Sequence, residues 1–516
     1  MDSLISCCAT AGVAEWVCCP GERNAPLLLA LARCPEIHRW MQQDERSAAY
    51  FALGRIQATA RAVAVLAGSG SSAAALLPAI IEAYYQRRPL IIVTLDSQEP
   101  MEGTGAWGCI EQESLFGFYA PTVELSLPCA VADLPDMTAL CAEGFPVHLH
   151  IRCAPSVVRG EGDIIRVADP PEPPRFRGSL AKLSQILRFH AEVQGLVLIL
   201  GELDPAEQEP ALWLARTLRV PVLAEATSGL REKLAGLLLH GGDTAWPGLC
   251  PGYVLRLGGV PSFPAWRALE NMPHVEVISI TRSGFSGLRR ESTVIEGDLE
   301  QIMKALGDVH AIGDSLNLLP AARKHSGRVE ELLMSYPESS AALVRAFSQQ
   351  ASLADVMFLG SPSATRLWNR YAQQQVPVLY TRTVSQAGGA DGAVSAFLGN
   401  AVDAGFACAL VGDIALLRDI AGAMLLPQLP PGKRVIAVLN NEGAGMADRA
   451  EWDDELRRLI VQPPDIDIQE FAQLCHAEYY AIHSEADFEV IEGLDEDSLA
   501  ILDLQPDRTL DSRFRI

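Results

Sequence analysis

One stretch constrains this 516-residue chain more than any other: GDIALLRDIAGAMLLPQLPPGKRVIAVLNNEGAG, from Gly412 to Gly445. It reads as the end of a strand (Ala407 to Val411), a Gly412-Asp413 turn, an amphipathic helix, and a second strand (Arg434 to Leu439) ending in Asn440-Asn441-Glu442-Gly443. Parallel strands place their carboxyl ends on one edge of a sheet, so Asp413 and Asn441 are expected side by side despite their separation in sequence. A carboxylate, an amide oxygen and turn carbonyls form a hard oxygen site, suited to magnesium carrying a diphosphate. Either turn alone is common at strand ends in any α/β protein. The pair, in this order and at this spacing, is more specific.

The same alternation of short apolar strands and helices runs through the whole chain. In the first part the strands are Glu15 to Cys19, Ala62 to Leu66, Leu90 to Leu95 and Val147 to Ile151; in the middle they are Leu196 to Leu200, Val220 to Leu223, Tyr253 to Leu257 and Val275 to Ile280. Such alternation predicts mostly parallel sheets with helices on both faces. The length exceeds what one core supports. The proline-rich Asp169 to Arg177 (DPPEPPRFR) reads as a linker. Three α/β domains are therefore expected, at 1–168, 178–325 and 330–516.

Composition excludes several function classes. A formal charge of −23 argues against a nucleic-acid surface. Asp2 stands where a secretory leader would carry a basic residue, and no apolar run approaches the roughly 18 residues of a membrane span. The expected location is the cytoplasm, with no membrane partner. The twelve cysteines, including Cys7-Cys8 and Cys18-Cys19, have neither metal-knuckle spacing nor a histidine cluster, and read as reduced, buried thiols.

Three turns in the first domain carry candidate chemistry. CPGERNAP (Cys19 to Pro26) breaks a strand at Pro20-Gly21 and sets Glu22, Arg23 and Asn24 at the start of a helix. GSGSSAAA (Gly68 to Ala75) is built of small residues that let backbone approach a flat or bulky group. Asp44-Glu45-Arg46 leads an Ala-rich helix, and by itself Glu45 reads equally well as a first-turn acid favoured by the helix dipole. In the middle domain the Gly201 and Gly258-Gly259 turns could admit a nucleotide, although no GxGxxG is present.

Gly-Asp followed by Asn-Asn resembles the thiamine-diphosphate (ThDP) motif. CPGERNAPLLLALA, DERSAAYFALG, GSGSSAAALLPAIIEAYYQRRPLIIVTLD, GTGAWGCIEQESLFG and, centrally, GLVLILGELDPAEQEPALWLARTLRVPVLAEATSGLR are similar in order and spacing to the 2-succinyl-5-enolpyruvyl-6-hydroxy-3-cyclohexene-1-carboxylate (SEPHCHC) synthase, or MenD, family. The resemblance runs essentially end to end.

It implies a ThDP- and Mg2+-dependent carboligase of menaquinone biosynthesis that decarboxylates 2-oxoglutarate and adds the acyl-anion equivalent to isochorismate. On this reading 1–168 is the pyrimidine-binding domain, 178–325 a scaffold, and 330–516 the diphosphate-binding domain. Asp413, Asn441 and the Gly443 carbonyl would hold the metal. Gly70, Ser71, Ser361, Gly389, Ala390 and Gly412 would line the cofactor, with GSPSATR (Gly360 to Arg366) at the diphosphate and SQAGGADGAVS (Ser385 to Ser395) at the aminopyrimidine. Glu45 would share a proton with the aminopyrimidine ring and so promote ionisation at C2. Arg23 and Arg366 would grip substrate carboxylates on the thiazolium side. Superfamily precedent implies a homodimer or homotetramer, with sites built from two subunits.

The chain also departs from the family's pattern. The family's Asp-Arg-Pro is Asp96-Ser97-Gln98, its Ala-Asn-Gln is Ala106-Trp107-Gly108, and its central Lys-Arg falls near Pro264-Ala265. An expected arginine is Ser385, with Arg382 as a substitute, and Gly-Gly-x-Ile-Phe becomes Glu442-Gly443-Ala444-Gly445-Met446. The departures keep two alternatives open: a divergent ThDP-dependent 2-oxoacid decarboxylase or carboligase with other substrates and, through Trp107 and Gly108, a more apolar acceptor pocket; or a catalytically silent binding or regulatory subunit.

Overall fold

The computed structural model describes residues 1–68, 70–97, 101–153, 165–188, 195–239, 251–307, 309, 319–375, 378, 380–384, 386–443, 452–464 and 467–514. Ser69, Gln98, Ser385 and Ala444-Gly445-Met446, singled out above, lie outside the described residues.

Among the described residues, seventeen strands form three sheets, and every neighbouring pair runs parallel. The first sheet contains β1 (Glu15–Cys18), β2 (His38–Met41), β3 (Val63–Ala67), β4 (Leu90–Ser97), β5 (Thr122–Leu127) and β6 (Val147–Cys153), in the order β2-β1-β3-β4-β6-β5. The second contains β7 (Leu196–Leu200), β8 (Val222–Ala224), β9 (Tyr253–Leu257), β10 (Glu276–Thr281) and β11 (Thr293–Glu296), in the order β11-β10-β9-β7-β8. The third contains β12 (Val356–Leu359), β13 (Tyr380–Thr383), β14 (Phe406–Gly412), β15 (Lys433–Leu439), β16 (Glu478–Ile482) and β17 (Leu499–Leu504), in the order β13-β12-β14-β15-β17-β16. Central strands such as β3, every residue of which is buried, are apolar throughout because helices cover both faces.

The chain divides into two compact units. One comprises Met1–Pro174, Gly389–Asp403 and Ala415–Pro430; the other comprises Arg175–Gly388, Ala404–Ile414 and Pro431–Ile516. In the first unit the helix Glu45–Thr59 buries eleven of its fifteen residues and packs on the helix Ala393–Asn400. The crossing is close enough that a Cβ on Gly54 would lie 2.2 Å from the Ala396 carbonyl oxygen, and one on Gly399 2.4 Å from that of Phe51. Only glycine fits at these two points.

In the second unit the Gly201 and Gly258-Gly259 turns are used for packing. A Cβ on Gly201 would sit 2.1 Å from the Gly259 carbonyl oxygen, and one on Gly258 2.2 Å from that of Glu202. The small residues thus let one turn close against the other, which accounts for the glycines without a nucleotide. The single amphipathic helix expected after Asp413 is instead a short α-helix, Asp413–Leu417, followed by a 3-10 helix, Ile420–Gln428, that contains Pro427. Of the eleven described cysteines seven are buried, while Cys7, Cys109, Cys129 and Cys475 are half-buried.

Candidate active site

In the second unit the neighbouring strands β14 and β15 pair Gly412 with Leu439, so the two chain segments leave the same sheet edge together. Asp413 is buried, at 4% exposure. Its Oδ1 accepts the Ile414 N–H at 2.8 Å and its Oδ2 accepts the Gly443 N–H at 2.7 Å. Burial pushes the Asp413 carboxyl above the ordinary aspartate range, while backbone donors from Gly443, Ile414 and Asn441 pull it back. No cation pairs with it among the described residues.

Asn441 is also buried, and its carbonyl accepts Arg508 Nη1 at 3.2 Å while Arg508 Nη2 bonds the Glu442 carboxylate. Glu442 (φ 52°) and Gly443 (φ 70°) are both left-handed and turn the chain back towards Asp413. Across β14 lies Ser361, the N-cap of the helix Pro362–Tyr371, whose side chain accepts the Ala364 N–H at 3.2 Å. Its Oγ would be 3.5 Å from a Cβ on Gly412. Ser361, Gly412, Asp413, Asn441 and Gly443 therefore share one place.

A buried carboxylate without a cation, beside an amide, turn carbonyls and a helix N-terminus, fits a divalent ion bearing a diphosphate. Arg366 is on the same helix, one turn beyond Ser361, and is exposed.

The first unit holds the remaining candidates. Glu45 is the first residue of its helix and partly exposed, next to the N-cap Asp44, which accepts the Ser47 N–H at 2.8 Å. Arg46 ties this helix start to the turn of Gly389 and Ala390, through Asp391 at 3.5 Å and the Arg418 carbonyl at 2.5 Å. Arg418 in turn pairs with Asp391 at 2.7 Å. The helix start that carries Glu45 is thus tied to Asp391, the residue after Gly389-Ala390.

Beneath them lies a chain of polar groups that local sequence reasoning missed. Fully buried Asp419 accepts the Ser395 N–H at 2.6 Å, and its other oxygen lies 2.9 Å from Ser395 Oγ. Ser395 Oγ meets Ser47 Oγ at 2.7 Å, and Gln42 Nε2 donates to Ser47 Oγ at 2.7 Å. Burial pushes the Asp419 carboxyl up to about 7 against the pull of Ser395, so its proton is shared near neutrality.

Arg23 sits where the loops after β1, β3 and β4 meet. It bonds the Asp96 carboxylate at 2.8 Å and the Gly108 carbonyl at 3.4 Å. A Cβ on Gly70 would lie 3.3 Å from that same Gly108 carbonyl, and Ser71 opens the short helix Ser71–Ala74 after Gly70. Gln112 Nε2 donates to the second Asp96 oxygen at 3.2 Å. Asp96, retained from the family's Asp-Arg-Pro, thus positions Arg23. Asp96, Glu102 and His150 bring three possible metal-ligand atoms within 4.8 Å of one another, but Arg23 and Arg152 already supply positive charge to the two carboxylates.

Trp107 is 98% exposed in the isolated chain. Arg382 is buried, with Nη1 donating to the Leu203 carbonyl at 3.2 Å, which gives the guanidinium a packing role.

Known proteins are similar to the chain along its whole length. Residues 1–115 match the family model described as "Thiamine pyrophosphate enzyme, N-terminal TPP binding domain". With three doubly covered parallel sheets and the Asp413–Asn441 edge, the chain is of the thiamine-diphosphate-dependent enzyme class. It is 42% identical to the 2-succinyl-5-enolpyruvyl-6-hydroxy-3-cyclohexene-1-carboxylate synthase of Akkermansia muciniphila, over 100% of this chain and 97% of that protein. It is 30% identical to the same-named protein of Chloroflexus aurantiacus (91% and 87% covered) and 27% identical to that of Geobacillus thermodenitrificans (99% and 93%). The chain belongs to the SEPHCHC synthase family. No helix among the described residues is long and apolar enough to cross a membrane.

Proposed function

We propose that the chain decarboxylates 2-oxoglutarate and joins the remaining four-carbon acyl unit to isochorismate, using ThDP and Mg2+. The reading rests above all on the end-to-end match to a protein named for that product. Bound ThDP would supply a thiazolium carbon able to attack the 2-oxo group and accept the electron pair left by carbon dioxide.

The protein's own residues have separable tasks in this proposal. Asp413, the Asn441 side chain and the Gly443 carbonyl hold the metal; Ser361 and Gly412 receive the diphosphate. Glu45 holds a proton at N1′ of the aminopyrimidine, against which Gly389 and Ala390 lie. Arg23, oriented by Asp96, and Arg366 take the substrate carboxylates, while Gly70 and Ser71 leave backbone room beside them. The middle sheet is a scaffold, and the domain limits are 1–168, 178–325 and 330–516. The protein acts in the cytoplasm as a homodimer or homotetramer, with Glu45 and Asp413 of one site from different subunits.

Mixing inactive Glu45→Gln with inactive Asp413→Ala protein, under conditions where subunits exchange, should restore part of the activity. No recovery despite demonstrated exchange would place each site within one chain. A second reading, the same chemistry on a different 2-oxoacid, is favoured by Ser97 standing where the family has arginine.

A further inference from the structure

The second unit contains a cavity of about 270 Å3 that none of Ser361, Asp413 or Asn441 lines. It lies between residues that follow β8 and the carboxyl end of the helix Pro362–Tyr371. Its polar lining sets the donors Arg231, Arg345, Arg370, Asn369 and Gln374 against the two carboxylates Glu232 and Glu330. Asn369 Nδ2 and Gln374 Nε2 are both buried and have no hydrogen-bond partner among the described residues. A buried donor left without a partner keeps its desolvation penalty, so an acceptor in the cavity would relieve it. Asn369 cannot simply turn over, because its Oδ1 already accepts the Ala226 N–H at 2.7 Å.

Arg231 lines the same cavity at 8% exposure. It donates to the carbonyls of Trp368 at 3.0 Å and Ala372 at 3.2 Å, which caps that helix end but engages only two of its five N–H groups. No carboxylate bonds it among the described residues; Glu232 attracts it from nearby and Arg345 repels it. The Arg345 charge is itself matched by Glu330 at 2.7 Å. The buried guanidinium therefore lacks a bonded counter-ion beside two unmatched amide donors.

We propose that this cavity is a binding site for a small anion, a carboxylate or phosphate, separate from the catalytic centre. Its volume falls just below the roughly 300 to 1,000 Å3 of ordinary ligand pockets, which limits the ligand to a compact molecule.

The test is calorimetric titration of the full-length protein with inorganic phosphate and with succinate, using neutral succinamide as the control. Binding of at least one anion, and none of succinamide, is expected. The isosteric changes Asn369→Asp and Gln374→Glu replace a donor by a negative acceptor while conserving shape. Each should weaken binding by about tenfold or more. In Arg366→Ala, which removes the proposed substrate site's share of the heat, the binding that depends on Asn369 and Gln374 should remain. The relative affinities for phosphate and succinate identify which acid the cavity prefers. Failure of both anions to bind, equal affinity in both cavity variants, or loss of binding in Arg366→Ala alone would overturn the proposal.

Discussion

Asp413 Oδ2 accepts the backbone N–H of Gly443 at 2.7 Å, although thirty residues separate them. The parallel pairing of β14 with β15 creates this contact, and the left-handed Glu442-Gly443 turn completes it. Asp413 is thereby fixed in a buried position without a cation. Titrating ThDP into the protein with magnesium present should release binding heat. Excess chelator should abolish that heat, and Asp413→Ala should abolish it even with magnesium. Undiminished binding by the variant would show that the metal is held elsewhere.

Asp419 links pH to stability. Its folded-state carboxyl is raised from 3.8 to about 7, so folding favours the protonated form. For this direction the contribution is complete below about pH 4 and is lost as the pH rises through 7. Asn mimics the neutral acid: its oxygen can accept the Ser395 N–H and its NH2 can donate to Ser395 Oγ. Asp419→Asn should therefore gain stability relative to wild type on going from pH 5 to pH 8, on the order of 2 to 3 kcal/mol at about 1.4 kcal/mol per pH unit. Urea unfolding of both proteins at the two pH values measures this. A constant difference between them would mean that Asp419 is already ionised in the folded protein.

Arg366 offers a test of substrate class. If its exposed guanidinium receives the distal carboxylate of 2-oxoglutarate, Arg366→Ala should lower kcat/KM for that donor by about 2 kcal/mol, close to thirtyfold, and leave ThDP affinity unchanged. Pyruvate, lacking that carboxylate, should be a poor donor for wild type and little affected by the change. Weakened ThDP binding with an unaltered 2-oxoglutarate-to-pyruvate ratio would instead assign Arg366 to the diphosphate.

What the sequence revealed divides by the range of the interaction involved. Strand patterns and the Gly412-Asp413 and Asn440-Asn441 strand ends are local, and they place Asp413 and Asn441 at one sheet edge. The break between Asp413–Leu417 and Ile420–Gln428 was not legible; there Gly422 packs against a distant segment, where a Cβ would lie 3.0 Å from Ser395 Oγ and from Val394 Cγ1. Arg508, bonded to the Asn441 carbonyl from sixty-seven residues away, left no local trace. Nor did the Asp419–Ser395–Ser47 chain, whose members lie on three separate segments.

The central claim is tested most directly by supplying the purified protein with ThDP, Mg2+, 2-oxoglutarate and isochorismate, and measuring carbon dioxide release together with formation of the coupled product. The account predicts release matched one for one by product, loss of both on omitting ThDP or magnesium, and little turnover when pyruvate replaces 2-oxoglutarate. Coupled turnover with another 2-oxoacid but not with 2-oxoglutarate, or no turnover of any 2-oxoacid by protein shown to bind ThDP, would contradict it.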